Sequence, residues 1–211
     1  MRESFHEDLE KFSAAVVDMT NQASAALERA THALLDADVT LAETVISSSE
    51  GPIRDAYLAL EDKAVDLLAR ESPVAGDLRL IVAGLAAHIA KIARLRYPGC
   101  AVPDVLRGTV SEMSAAALSM AQKAAEVVAS KDATRAREFE VDDDRVDALR
   151  RQLFTTMLSP DWTAGVEPAI DLALVGRFYE RFADHAVEVA RLVVYMVTGE
   201  LPSPDEMRMA D

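Results

Sequence analysis

The last third of the chain carries one pattern that leaves little choice of fold class. Leu172, Val175, Tyr179, Phe182, Ala186, Val189, Val193 and Met196 follow one another at steps of three or four residues. A helix turns once in about 3.6 residues, so these side chains fall on one face for about seven turns. A strand would instead send every second side chain to the opposite face. Helical spacing also runs through the other segments between strong breaks. Those breaks fall at Asp36–Asp38, Ser72-Pro73, Pro98-Gly99 through Pro103, Ser130–Asp132, Ser159-Pro160 and Gly199–Pro202. No segment alternates with a period of two. The chain is predicted to be all-α.

Apolar residues make up 50% of the chain and aromatic ones only 5%, so alanine, leucine and valine must fill the core. Small residues at Ala23, Ala26 and Ala30, and at Ala117, Ala121, Ala124 and Ala125, suit close helix–helix approach. The two halves also resemble each other. Asp38-Val39-Thr40-Leu41-Ala42 matches Asp132-Ala133-Thr134-Arg135-Ala136, and Ile92-Ala93-Arg94-Leu95 echoes Val189-Ala190-Arg191-Leu192. The expected architecture is therefore two tandem three-helix bundles, over 1–99 and 103–200, followed by a flexible tail at 201–211. The repeat is uneven. The interval from Pro73 to Pro98 is far shorter than that from Pro160 to Gly199, so the third helix of the first half is predicted to be cut down. Gly51-Pro52 interrupts the second helix, where proline removes a donor and predicts a kink or restart. A shortened helix leaves neighbouring apolar faces uncovered, which calls for dimerisation, a partner helix or local looseness.

A net charge of −14, with 36 acids against 22 lysines and arginines, argues against nucleic acid and anionic membrane surfaces as direct partners. No apolar run approaches the roughly 20 residues that span a bilayer. The first eight residues place Glu3, Glu7 and Asp8 where a signal peptide would be apolar. Cys100 is the only cysteine, which excludes an internal disulfide and fits a reducing compartment. The expected location is the cytoplasm.

One run is suggestive of chemistry. Glu180-Arg181-Phe182-Ala183-Asp184 sets two carboxylates four residues apart, one above the other on a helix. Asp143 and Asp147 form a second such pair. If the helices that carry them pack together, the four build a multidentate oxygen site. Hard oxygen ligands favour iron, manganese, magnesium or calcium over a thiol-loving ion. Spacing alone is a weak signal, since 36 acids in 211 positions supply about six such pairs by chance. The bland alternative is a solvated face neutralised by Arg177 and Arg181, because Glu180 and Asp184 lie well round from the apolar seam. His185 is an extra ligand or, more simply, a satisfied or solvated histidine, and the same plain reading holds for His32 and His88. Glu3 and His6 alone have the spacing of a di-iron motif, at a terminus expected to fray. Trp162 is read as an anchor packing the turn after Pro160. No glycine-rich phosphate loop, nucleophile elbow or Cys-x-x-Cys is present, and nothing assembles a nucleophile, a base and an oxyanion hole.

Three stretches together resemble the PhoU family, in its actinobacterial form: Pro73-Val74-Ala75-Gly76-Asp77-Leu78-Arg79-Leu80-Ile81, the run 180–184, and Tyr195-Met196-Val197-Thr198-Gly199. The likeness covers nearly the whole chain. It implies two similar three-helix bundles in a cytoplasmic, usually dimeric regulator that is not an enzyme. Such a protein would hold phosphate uptake and the phosphate-starvation response down, as an adaptor between the ATPase subunit of a phosphate ABC transporter and a sensor histidine kinase. The resemblance also implies a divalent or trivalent metal, with iron, manganese, magnesium or zinc as candidates, on Glu180, Asp184, Asp143 and Asp147. The first half departs from the family pattern. Val82-Ala83-Gly84-Leu85-Ala86-Ala87 stands where a Glu-Arg-x-Gly-Asp run belongs, and Glu50 is followed four residues later by Arg54, which cannot ligate a metal. One metal site is thus expected, in the second half. The alternatives are a carboxylate-metal phosphohydrolase, for which no base is evident, and a purely structural helical scaffold.

Overall fold

The computed structural model describes residues 2–48, 74–136 and 139–199. Every described element is helical: α1 (Arg2–Asp36), α2 (39–48), α3 (Val74–Arg96), α4 (Asp104–Ser130), the single turn α5 (Ala133–Ala136), α6 (Phe139–Met157) and α7 (Val166–Thr198). The Gly51-Pro52 interruption and the tail at 201–211 lie outside the described residues. Among the described residues, no helix is long and apolar enough to cross a membrane.

The sequence repeat has a physical counterpart in how the helices restart. After α1 the chain turns through Ala37 at φ 52°, and Asp38 then caps α2, its Oδ1 accepting from the Leu41 N–H at 2.9 Å. After α4 the same sequence of events recurs. Lys131 sits at φ 55°, its N–H donates to the Val127 carbonyl at 2.8 Å, and Asp132 Oδ1 accepts from the N–H groups of Thr134 and Arg135 at 3.0 and 3.2 Å. A left-handed residue followed by an aspartate cap ends one helix and aims the next. α7 closes in a similar way, on Gly199 at φ 78°, whose N–H reaches the Tyr195 carbonyl at 2.8 Å. The predicted difference in length is present too: α3 has 23 residues and α7 has 33.

The two halves do not stand apart. α1 lies against α3 and α4, α4 also against α6 and α7, and α7 against α3, α5 and α6. One continuous hydrophobic core therefore runs from Leu27, Leu34 and Ile89 of the first half to Leu106, Met113, Leu153 and Leu172 of the second. Polar contacts follow the same junction. From α4, Arg107 Nη1 donates to the Leu35 carbonyl and Nη2 pairs with Asp36 at 3.1 Å, supplying a cation to the C-terminus of α1. At the end of α3, Arg96 bonds Asp171 at 2.5 Å and Glu167 at 2.9 Å, on the first turns of α7. The hydrogen bond to Asp171, itself buried, holds Arg96 above its ordinary range.

At the centre sits a cluster of three hydroxyls, one from each of α1, α4 and α7. Thr31 donates to the Leu27 carbonyl at 2.8 Å, which leaves its Oγ1 free to accept. Ser114 lies 3.0 Å and Tyr179 2.7 Å from that oxygen. All three residues are buried, and burial pushes the Tyr179 hydroxyl up to about 12.

Candidate functional site

The carboxylates singled out in the sequence sit where α6 runs along α7. What lets these helices close is Gly176, one turn before Glu180 on the same face. A Cβ there would come within 3.2 Å of Leu153 Cδ1, tighter than ordinary contact, so Leu153 takes the space a side chain would need, while Arg150 Cγ at 3.8 Å lies alongside at van der Waals distance. From beside that glycine, the Arg150 guanidinium reaches Glu180, with Nε 3.2 Å from Oε2. The N–H is not aimed along that line, so the contact is Coulombic rather than a formed hydrogen bond. Arg177, one turn back on α7, brings Nη1 within 2.7 Å of the same oxygen. Glu180 is largely buried, its side chain 16% exposed, and it meets two cations there.

Asp184 stands on the exposed flank of this cluster. Desolvation raises its pKa above the usual carboxylate value, the negative charge of Glu180 adds to the rise, Arg177 opposes it, and Asp147 raises it further. Asp147, Glu180 and Asp184 thus share one electrostatic neighbourhood across the α6–α7 seam. Asp143 lies one turn before Asp147 on α6, half-buried, while its neighbour Asp142 is held by Lys123 of α4 at 3.0 Å. The four residues do not converge into a cage. Among the described residues no group of three or more His, Cys, Asp or Glu side chains is gathered so that it could hold a metal ion. A metal needs free carboxylate lone pairs, and at Glu180 two guanidinium groups already face Oε2. As arranged, these residues do not fit the resident metal that the resemblance implies.

His32, His88 and Trp162 fall where the plainer reading put them. His32 and His88 are exposed, the latter with its ring 5.3 Å from Phe178. His185 is half-buried beside Asp184. Trp162 does anchor the turn between α6 and α7, its Nε1 donating to the Gly165 carbonyl at 2.8 Å. That anchoring has a consequence the sequence did not signal. Trp162, Phe154, Met157, Val166, Ala169 and Ile170 are among the residues that wall an apolar groove of about 490 Å³ at this end of the molecule. Leu158, 82% exposed, and Val166, 74% exposed, form its lip. Ile170 and Leu174, four and eight residues after Val166, continue the exposed apolar stripe along α7. Arg150 was also missed, because its contact with Glu180 is made across two helices and no spacing along α6 signals it.

The chain is similar to known proteins along nearly its whole length. The family model described as PhoU domain matches it twice, over residues 16–95 and 110–193. The phosphate-specific transport system accessory protein PhoU homolog 2 of Mycobacterium tuberculosis is 45% identical, over 96% of this chain and 100% of that protein. PhoU homolog 1 of Mycobacterium leprae is 43% identical, over 97% of each. Among solved structures, PhoU from Pseudomonas aeruginosa superposes with a TM-score of 0.73 at 25% identity, covering 93% of this chain and 100% of the other. The phosphate transport system regulatory protein PhoU from Streptococcus pneumoniae reaches a TM-score of 0.76 at 19% identity, over 94% and 99%, and shows the shared fold. The double match and the two superpositions agree with a duplicated all-helical architecture.

Proposed function

This chain belongs to the PhoU family, and from that premise we propose that it is a phosphate-transport accessory protein that regulates by binding rather than by turnover. In this reading it is a cytoplasmic adaptor, acting as a homodimer, between the ATPase subunit of a phosphate ABC transporter and a sensor histidine kinase. It lowers phosphate uptake and the starvation response when phosphate is plentiful.

The observation that carries the reading is the exposed apolar face made by Leu158, Val166, Ile170 and Leu174 together with the groove behind it. Water-facing leucine, valine and isoleucine side chains grouped around a concavity are a feature of protein–protein contacts. We assign this face to the transporter's ATPase subunit, the transport system being what the mycobacterial relatives are named for. The paired test is a pull-down and titration of purified chain against the ATPase subunit and, separately, the kinase. A Leu158→Asp, Ile170→Asp variant should keep its far-UV circular dichroism, because both side chains already face water. It is expected to lose ATPase binding by about tenfold or more, since a charge placed at the centre of an apolar contact removes its strongest part. Unchanged ATPase binding would move the contact elsewhere. A wild-type chain that binds neither subunit would end the adaptor reading.

A further inference from the structure

We infer that Arg150 is the resident cation of the second-half carboxylate cluster, so that α6 and α7 are joined by a guanidinium where a metal ion would otherwise bridge them. Three independent features place it there. Gly176 lets α6 close on α7, with Leu153 Cδ1 3.2 Å from where a Cβ would stand, and the Arg150 stem lies alongside in van der Waals contact, Cγ at 3.8 Å. Phe154, one turn further along α6, puts its ring face against the guanidinium, with Cζ 5.3 Å from the ring centroid. Glu180 Oε2 lies 3.2 Å from Arg150 and 2.7 Å from Arg177, inside a seam that keeps the carboxylate 16% exposed.

The consequence is competitive. A divalent cation entering this seam must first displace two guanidinium groups from Glu180, then collect oxygens from Asp143 and Asp147, which the fold does not bring together with it. An arginine cannot lose its proton to make room, so its charge repels the incoming ion at every ordinary pH. The helix pairing that a metal would secure is therefore secured by the chain itself. This inference does not depend on the adaptor reading, and either can fail alone.

The test uses the full chain dialysed to equilibrium against Mn²⁺, with bound metal measured by mass spectrometry and the melting temperature read with and without EDTA. The wild type is expected to hold well under one Mn²⁺ per chain and to melt at the same temperature in EDTA. Arg150→Met should take up Mn²⁺ about tenfold more tightly, the weight of one partly buried ion pair. Arg150→Lys, which keeps a cation, should remain closed to the metal. Wild-type protein that binds Mn²⁺ stoichiometrically and loses it in Glu180→Gln would overturn the proposal, and so would an EDTA-sensitive wild-type melt. These wild-type readings decide the matter even if Arg150→Met fails to fold. A folded Arg150→Met variant with no gain in Mn²⁺ affinity would also overturn it.

Discussion

Replacing Thr31 by valine is expected to destabilise the protein by about 2–3 kcal/mol, well beyond the roughly 1 kcal/mol expected for Tyr179→Phe. The asymmetry follows from who donates to whom. Thr31 Oγ1 sits within hydrogen-bond reach of both Ser114 and Tyr179, at 3.0 and 2.7 Å, while its own proton goes to the Leu27 carbonyl. Valine keeps the branched shape but strips two buried hydroxyls of their shared acceptor. Those hydroxyls can partly satisfy each other, which keeps the cost below that of two fully stranded groups. Phenylalanine at 179 removes one donor and leaves the rest of the cluster intact. Combining Thr31→Val with Tyr179→Phe should therefore recover part of the loss, because fewer polar groups remain unpaired. Urea unfolding of the three variants measures this directly. Equal costs for the two single substitutions would rule out Thr31 as the common acceptor.

The same tyrosine ties stability to alkaline pH. Its folded pKa is raised by burial from 10.0 to about 12. Below pH 10 both states keep the phenolic proton, and the contribution is fully present. As pH rises from 10 towards 12 the unfolded chain releases the proton and the folded chain holds it, so unfolding gains ground. Across that window the wild type should lose roughly 2–3 kcal/mol relative to Tyr179→Phe, at about 1.4 kcal/mol per unit. The difference between the two proteins cancels titration at the other tyrosines and lysines. A flat difference curve would mean the hydroxyl is not buried.

The second large effect concerns how the halves are coupled. Leu27 on α1 is fully buried in the core that continues into α4, α6 and α7. Leu27→Ala removes that side chain and leaves a cavity, at a cost of about 2–5 kcal/mol. Because the core is continuous, the loss should be felt at the far end of the second half. Trp162, the single tryptophan, reports from the α6–α7 turn, and far-UV circular dichroism reports on all the helices. Both probes are expected to shift to the same lower midpoint in Leu27→Ala. A Trp162 transition that stays at the wild-type midpoint while the helical signal moves would show two independently folding bundles.

The family, the helical class and most helix ends were legible because they depend on near neighbours in the chain. The break at Asp36–Asp38 is an aspartate cap behind a left-handed residue, and the break at Ser130–Asp132 repeats it. Three- and four-residue steps placed Leu172, Val175, Tyr179 and Phe182 on one buried face, and all four are buried. The shortened third helix of the first half was visible as a shortened interval between prolines. The α6–α7 turn was less legible, since α7 starts at Val166, several residues after Pro160, and the turn is held by Trp162 rather than by the proline alone.

Periodicity states the direction of a side chain around its own helix and nothing about what stands opposite. Tyr179 was legible as one more apolar step, but that its hydroxyl would meet Thr31 and Ser114 depended on three helices crossing at one point. The carboxylate pairs were legible as ligand spacing, yet the partner Glu180 received was Arg150, from another helix. That pairing lies beside a close approach of α6 to α7 at Gly176, where Leu153 packs against the bare backbone. Local sequence thus determined which residues form helices and which faces they bury. The tertiary packing decided which charges and hydroxyls meet, because such contacts depend on interhelical distance, which no run of residues along one helix encodes.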